Sequence, residues 1–144
     1  VWGAGRVSVR ISPLVAYNDI ADSDPAGLTR YVGRELDRRG IAFFEVRHAD
    51  HTLPAEREVA KAARESFRGP LFVNGAYDYA SGTAAVASGA ADPIVYGRPF
   101  ISNPDLVERY RRGAPLNPLD AKTLYTPGPK GYTDYPSLGT VGAG

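Results

Sequence analysis

Short β-branched or aromatic runs alternate along this chain with stretches in which apolar residues recur every three or four positions, and the alternation repeats four times. Residues 7–11 (VSVRI) predict a strand. Asp24 before Pro25 then reads as a helix N-cap and first turn, and Leu28, Tyr31, Val32 and Leu36 keep helical spacing until Gly40 stops it. Residues 41–46 (IAFFEV) predict the second strand, and Pro54 opens a helix that puts Val59, Ala63 and Phe67 on one face before Gly69. The third unit is a strand over 71–73 running into Asn74-Gly75, with a helix from about 78 to 88 closed by Gly89. The fourth is a strand over 93–96 followed by Gly97-Arg98, then a helix carrying Leu106, Val107 and Tyr110, capped by Asn103 and Pro104 and ended by Gly113. Residues 114–144, rich in Pro, Gly and Tyr, predict an ordered tail rather than a fifth unit.

Four strands alternating with four helices imply an α/β fold of parallel βαβ units, either a small open doubly wound domain or half of a closed (β/α)8 barrel. No GxGxxG fingerprint and no GxxxxGK[ST] loop follows the first strand, which takes support from the doubly wound nucleotide binders. The phosphate signals end the last two strands instead, as Asn74-Gly75-Ala76 and Gly97-Arg98. Small residues let backbone N–H groups approach a ligand, and a guanidinium grips phosphate oxygens with two parallel bonds. Tight turns at Gly75 and Gly97, with a solvated Arg98, are the other reading of the same residues. Loops after strands seven and eight are where (β/α)8 barrels commonly hold phosphate, which assigns the chain to the C-terminal half of such a barrel, strands five to eight. Residues 1–144 then form a single half-barrel with 114–144 as its tail.

Composition narrows the partners. With 43% apolar content over 144 residues, the chain can bury one core. Seventeen basic and sixteen acidic residues nearly cancel, so nucleic acid and membrane surfaces are not expected partners. The absence of cysteine excludes disulfides, thiolate metal sites and a cysteine nucleophile; no metal site is expected, and a reducing, cytoplasmic setting is compatible. No apolar run approaches the length of a membrane span, and the first residues lack a secretory pattern. Methionine is absent too, which leaves two readings: an initiator methionine removed before Val1, or a piece of a longer protein.

Three stretches carry more specific information: GPLFVNGAYD over 69–78, YGRPFISNPDLVERYRRGAPLNP over 96–118 and LYTPGPKGYTDYPSL over 124–138. Together they resemble the C-terminal half of the old yellow enzyme family, and VSVRISP over 7–13 resembles that family's fifth or sixth strand. The resemblance implies an FMN-dependent (β/α)8 barrel that takes hydride from NAD(P)H and passes it to activated alkenes such as enones. Carried over by position, Gly75, Ala76, Gly97 and Arg98 match the family's FMN-phosphate residues. Arg10 matches the arginine near the N1 and C2-carbonyl side of the flavin, where a fixed positive charge stabilises the reduced ring. Tyr125 matches the C-terminal tyrosine that borders the substrate cavity. An ion pair in the barrel wall for Arg10, and burial against the tail for Tyr125, are the alternatives.

The family's substrate-oxygen-binding His/Asn or His/His pair, its proton-donating tyrosine and several flavin-ring contacts have no match in this chain. His48 and His51 lie in the loop after the second strand and are expected to be exposed loop residues. Residues 47–54 and Thr126-Pro127-Gly128-Pro129 differ from the family's commoner forms, which bears on substrate choice. The function implied is therefore the FMN-binding half of an ene-reductase-type oxidoreductase, active when completed by a separate N-terminal half-barrel chain in a heterodimer. Open sheet edges must pair or aggregate, which motivates that partner. The alternative is a non-redox half-barrel subunit with a structural or flavin-binding role in a biosynthetic complex.

Overall fold

The computed structural model describes residues 2–17 and 19–139, and its contacts divide into two compact units that meet in sequence at Val95 and Tyr96. In the first unit β1 (Ser8–Ile11), β2 (Phe43–Arg47) and β3 (Leu71–Asn74) form a parallel sheet in the order β1-β2-β3. Helix α1 (Pro25–Arg39) connects β1 to β2, α2 (Pro54–Ser66) connects β2 to β3, and α3 (Tyr79–Ala87) follows β3. The register sets Arg10 beside Glu45, Glu45 beside Phe72 and Arg47 beside Asn74.

The fourth predicted strand is reduced to one parallel bridge, Val73 to Ile94. Val73 N–H donates to Pro93 O and Val95 N–H to Val73 O, but Pro93 has no N–H with which to extend the ladder, and a helix begins at Arg98.

Helix α1 has the ends its sequence predicts. Asp24 accepts from Gly27 N–H at 2.9 Å, Pro25 fills the first position, and Gly40 closes the helix at φ 62°. Pro54 starts α2 without a side-chain cap, since Leu53 precedes it. The two helices approach closely at Gly33, where a Cβ would lie 2.0 Å from Ser66 Oγ. Phe44 and Val46 of β2, Val59 and Ala63 of α2, Phe67, and Leu71 and Val73 of β3 make the core, with Val32 and Leu36 of α1 packed against it. Phe44 meets Phe67 edge-on at 5.7 Å.

In the second unit, α4 (Arg98–Ser102) and α5 (Leu106–Arg112) precede a 3-10 turn at Ala121–Thr123. Asn103 does not cap α5 as the sequence suggests. Asp105 occupies the cap position, while Asn103 donates to Pro99 O and accepts from Asn117 N–H, tying α4 to the tail. Among the described residues no helix is long and apolar enough to cross a membrane.

Candidate functional site

Period-two alternation splits the sheet of the first unit into unlike faces. Phe44, Val46, Leu71 and Val73 are buried in the core, whereas Arg10, Phe43, Glu45, Phe72 and Asn74 share the opposite, half-buried to exposed face. On that face Phe43 stacks on Phe72 at 4.1 Å. Arg10 Nε lies 3.0 Å from Glu45 Oε1, and its Nη2 donates to Asn74 Oδ1 at 3.4 Å. Asn74 Nδ2 in turn donates to Val95 O. A polar line thus runs from Glu45 through Arg10 to the carboxyl ends of the strands, where ligands bind in parallel α/β folds. The arginine makes the wall ion pair and still exposes 51% of its side chain.

The chain turns sharply at the end of β3. Gly75 has φ 132°, and a Cβ there would lie 2.3 Å from His48 O. Ala76 follows in the left-handed region at φ 55°, a conformation that costs a residue with a Cβ roughly 1–2 kcal/mol. The N–H groups of Gly75 and Ala76 donate to no backbone carbonyl among the described residues. They are donors available to an anion.

The two histidines correct the expectation of an exposed loop. His48 is 1% exposed, because position 48 continues the inward alternation of Phe44 and Val46 and falls beneath the first turn of α2. Its Nδ1 is 2.7 Å from Glu56 Oε2, and Glu56 Oε1 accepts from Ala49 N–H at 2.6 Å. Burial pushes His48 below its ordinary 6.5, against the opposing pull of the Glu56 carboxylate. The imidazole is therefore neutral at pH 7, with Nδ1–H the donor. His51 is half-buried: its Nδ1 donates to Gly75 O at 3.0 Å and its ring stacks on Tyr77 at 3.9 Å. A cavity of about 490 Å³ beside α2 is lined in part by His48, His51, Glu56 and Tyr77. Sequence reasoning missed Glu56 and Tyr77 altogether. The usable signal was the alternation carried one step past β2, with an acid in the first turn of the next helix.

In the second unit Gly97 precedes α4, with nothing within 4 Å of where its Cβ would be. Arg98 is exposed and pairs with no carboxylate among the described residues. Tyr125 is 98% exposed, which overturns the alternative of a tyrosine buried against the tail. Within the long motifs, Arg109 and Asp105 make a structural knot. Buried Arg109 donates to Asp105 at 2.7 Å, to Pro115 O at 2.6 Å and to Pro136 O at 2.8 Å, while Asp105 accepts from Leu138 N–H. Among the described residues no group of three or more His, Asp or Glu is arranged to hold a metal.

The family model for the "NADH:flavin oxidoreductase / NADH oxidase family" matches residues 1–117. A Leishmania infantum protein named "Probable flavin mononucleotide-dependent alkene reductase" is 48% identical over 136 residues, which are 94% of this chain and 37% of that protein. 12-oxophytodienoate reductase 7 of Oryza sativa subsp. japonica is 41% identical over 155 residues, 95% of this chain and 39% of its own length. Morphinone reductase in complex with tetrahydroNAD superimposes with a TM-score of 0.82 at 38% identity, over 92% of this chain and 36% of that structure. The chain thus spans well under half the length of these relatives, and its parallel sheet with intervening helices is a partial (β/α)8 barrel.

Proposed function

The chain belongs to the NADH:flavin oxidoreductase / NADH oxidase family, that of the old yellow enzymes, and on this premise we propose that it is the FMN-binding part of an ene-reductase. The observation that carries the reading is Arg10, half exposed on the uncovered face of a parallel sheet and linked through Asn74 to the strand ends. The donors present fit an anionic, planar cofactor. In the first unit, among the described residues, the Gly75 and Ala76 N–H groups donate to no backbone carbonyl, and Phe43, Phe72 and Arg10 share the uncovered face; in the second unit Arg98 pairs with no carboxylate among the described residues.

The chemistry that FMN supplies when bound is hydride transfer, taken from NAD(P)H and delivered to the β-carbon of an activated alkene such as an enone. Within that chemistry, the N–H groups at Gly75 and Ala76, and separately Gly97 and Arg98, bind phosphate oxygens. Arg10 would lie beside the ring and supply a fixed positive charge, with Glu45 moderating its field. Tyr125 would border the substrate cavity, as its family position implies.

β1 pairs with β2 alone among the described residues, so one edge of the sheet offers a row of unpaired backbone groups. We assign that edge to a complementary half-barrel chain, which also brings the groups that hold the substrate carbonyl and deliver the proton. The test is co-expression with a matching N-terminal half, followed by size-exclusion chromatography and absorbance. A yellow complex bleached by NADPH and recoloured by cyclohexenone is expected. A colourless complex unresponsive to NADPH overturns the oxidoreductase reading, and a fully active monomer of this chain overturns the partner.

A further inference from the structure

Ala76 is the one alanine at positive φ among the described residues, and a single side chain grips both of its neighbours. His51 donates from Nδ1 to the carbonyl of Gly75 at 3.0 Å, and its ring lies on that of Tyr77, 3.9 Å between centroids and 12° from parallel. His51 is itself fixed. Asp50 accepts from both the N–H and the hydroxyl of Thr52, at 2.9 and 2.7 Å, and Leu53 N–H closes on Asp50 O at 3.1 Å. One step upstream, the buried His48–Glu56 pair ties the start of the same loop to α2, and Gly75 sits against the His48 carbonyl so closely that no Cβ fits. Strained backbone persists where its surroundings over-determine it, and such strain clusters at ligand clamps. Here the loop after β2 supplies the contacts on Gly75 O and on the Tyr77 ring.

We propose that His51 is a positioning residue: it holds Ala76 in its left-handed conformation, so that the free N–H groups of Gly75 and Ala76 are presented together to an anionic group. That the anion is the phosphate of FMN rests on the function proposed above, whereas the clamp on the turn does not. A purely structural histidine would stabilise the fold without setting the mobility or the donor geometry of residues 75–77.

The test separates the two claims by measuring backbone ¹⁵N order parameters on the full chain and FMN affinity by titration of its complex with the matching N-terminal half. In the parent, the Gly75 and Ala76 amides should be as ordered as those of β3, near about 0.85. His51→Ala should drop them below about 0.6 while Val46 and Val73 stay unchanged, and His51→Asn, which keeps a donor where Nδ1 stood, should restore much of the order. His51→Phe keeps the stack on Tyr77 and loses only the donor, and should fall between; it serves if the alanine variant does not fold. FMN affinity should follow the same order, with a loss of about tenfold for His51→Ala, the scale of one hydrogen bond. Unchanged order parameters in both His51→Ala and His51→Phe overturn the proposal. Lowered order in His51→Ala with unchanged FMN affinity leaves the clamp standing and overturns the identity of the anion.

Discussion

His48 gives its Nδ1–H to Glu56 across 2.7 Å with both side chains shut away from water. Glu56 has a second duty, accepting Ala49 N–H, so its carboxylate answers two donors that have no other partner. Glu56→Leu removes both acceptors and leaves the two donors facing an apolar side chain. It should cost about 1–3 kcal/mol in urea unfolding, the penalty of a buried unsatisfied group. An unchanged unfolding midpoint would show that the pair contributes nothing.

The same pair makes stability depend on pH near neutrality. The fold holds His48 below its ordinary 6.5, so the unfolded chain takes up a proton that the folded chain refuses. Stability is complete above 6.5 and declines as pH falls from 6.5 towards the lowered folded value. Paired carboxylates such as Asp37 and Asp105, also held below their ordinary 3.8, add their own loss only at lower pH. His48→Asn should therefore flatten the decline between about pH 7.5 and about pH 5.5; equal slopes for parent and variant would assign it elsewhere.

Two adjacent phenylalanines should respond unequally. Phe44 is fully buried in the core, and Phe44→Ala should cost about 3–5 kcal/mol. Phe43 points to the opposite face, where it is half-buried and stacks on Phe72, so Phe43→Ala in this chain should cost less, about 1 kcal/mol. Paired denaturation curves check the difference, and equal costs would mean that both faces are equally buried.

Arg98→Ala should weaken FMN binding by about 1.5–3 kcal/mol, because an unpaired guanidinium loses charge-assisted bonds to a dianion. Arg10→Ala should weaken it less. Fluorescence titration of FMN ranks the two variants, and parental affinity in the Arg98 variant removes its phosphate role.

The Arg10–Glu45 pair gives opposite signs in a second measurement. Arg10→Ala should lower the flavin midpoint potential and slow reduction by NAD(P)H, while Glu45→Gln, which frees the arginine from its 3.0 Å partner, should raise it. Spectroelectrochemistry reads both, and identical potentials would leave Arg10 as a brace in the wall.

Much of this molecule was legible before its structure. Asp24-Pro25 and Gly40 bounded α1, and the β-branched and aromatic runs located three strands, because caps and local periodicity are short-range physics. The fourth strand was overread, since apolar residues at 93–96 give no weight to the missing N–H of Pro93. Arg10, Gly75, Ala76, Gly97, Arg98 and Tyr125 were singled out by motif; the structure leaves Arg10, Gly97, Arg98 and Tyr125 exposed and gives Gly75 and Ala76 positive φ. His48, His51, Glu56 and Tyr77 were misjudged or missed because their meeting depends on how the loop after β2 folds over the end of β3. No spacing along the chain encodes that contact directly.

One guanidinium, that of Arg109, fastens Pro115 at one arm and Pro136 at the other, so the chain between them leaves and returns to a single buried anchor. Asn117 repeats the fastening by donating to Pro136 O. A loop pinned at its base tolerates change in its span at little cost, roughly 0.6 kcal/mol for each doubling of length. Tyr125 and the Thr126-Pro127-Gly128-Pro129 turn lie inside that span. The whole segment can thus be exchanged like a cartridge while the helices that hold it stay as they are.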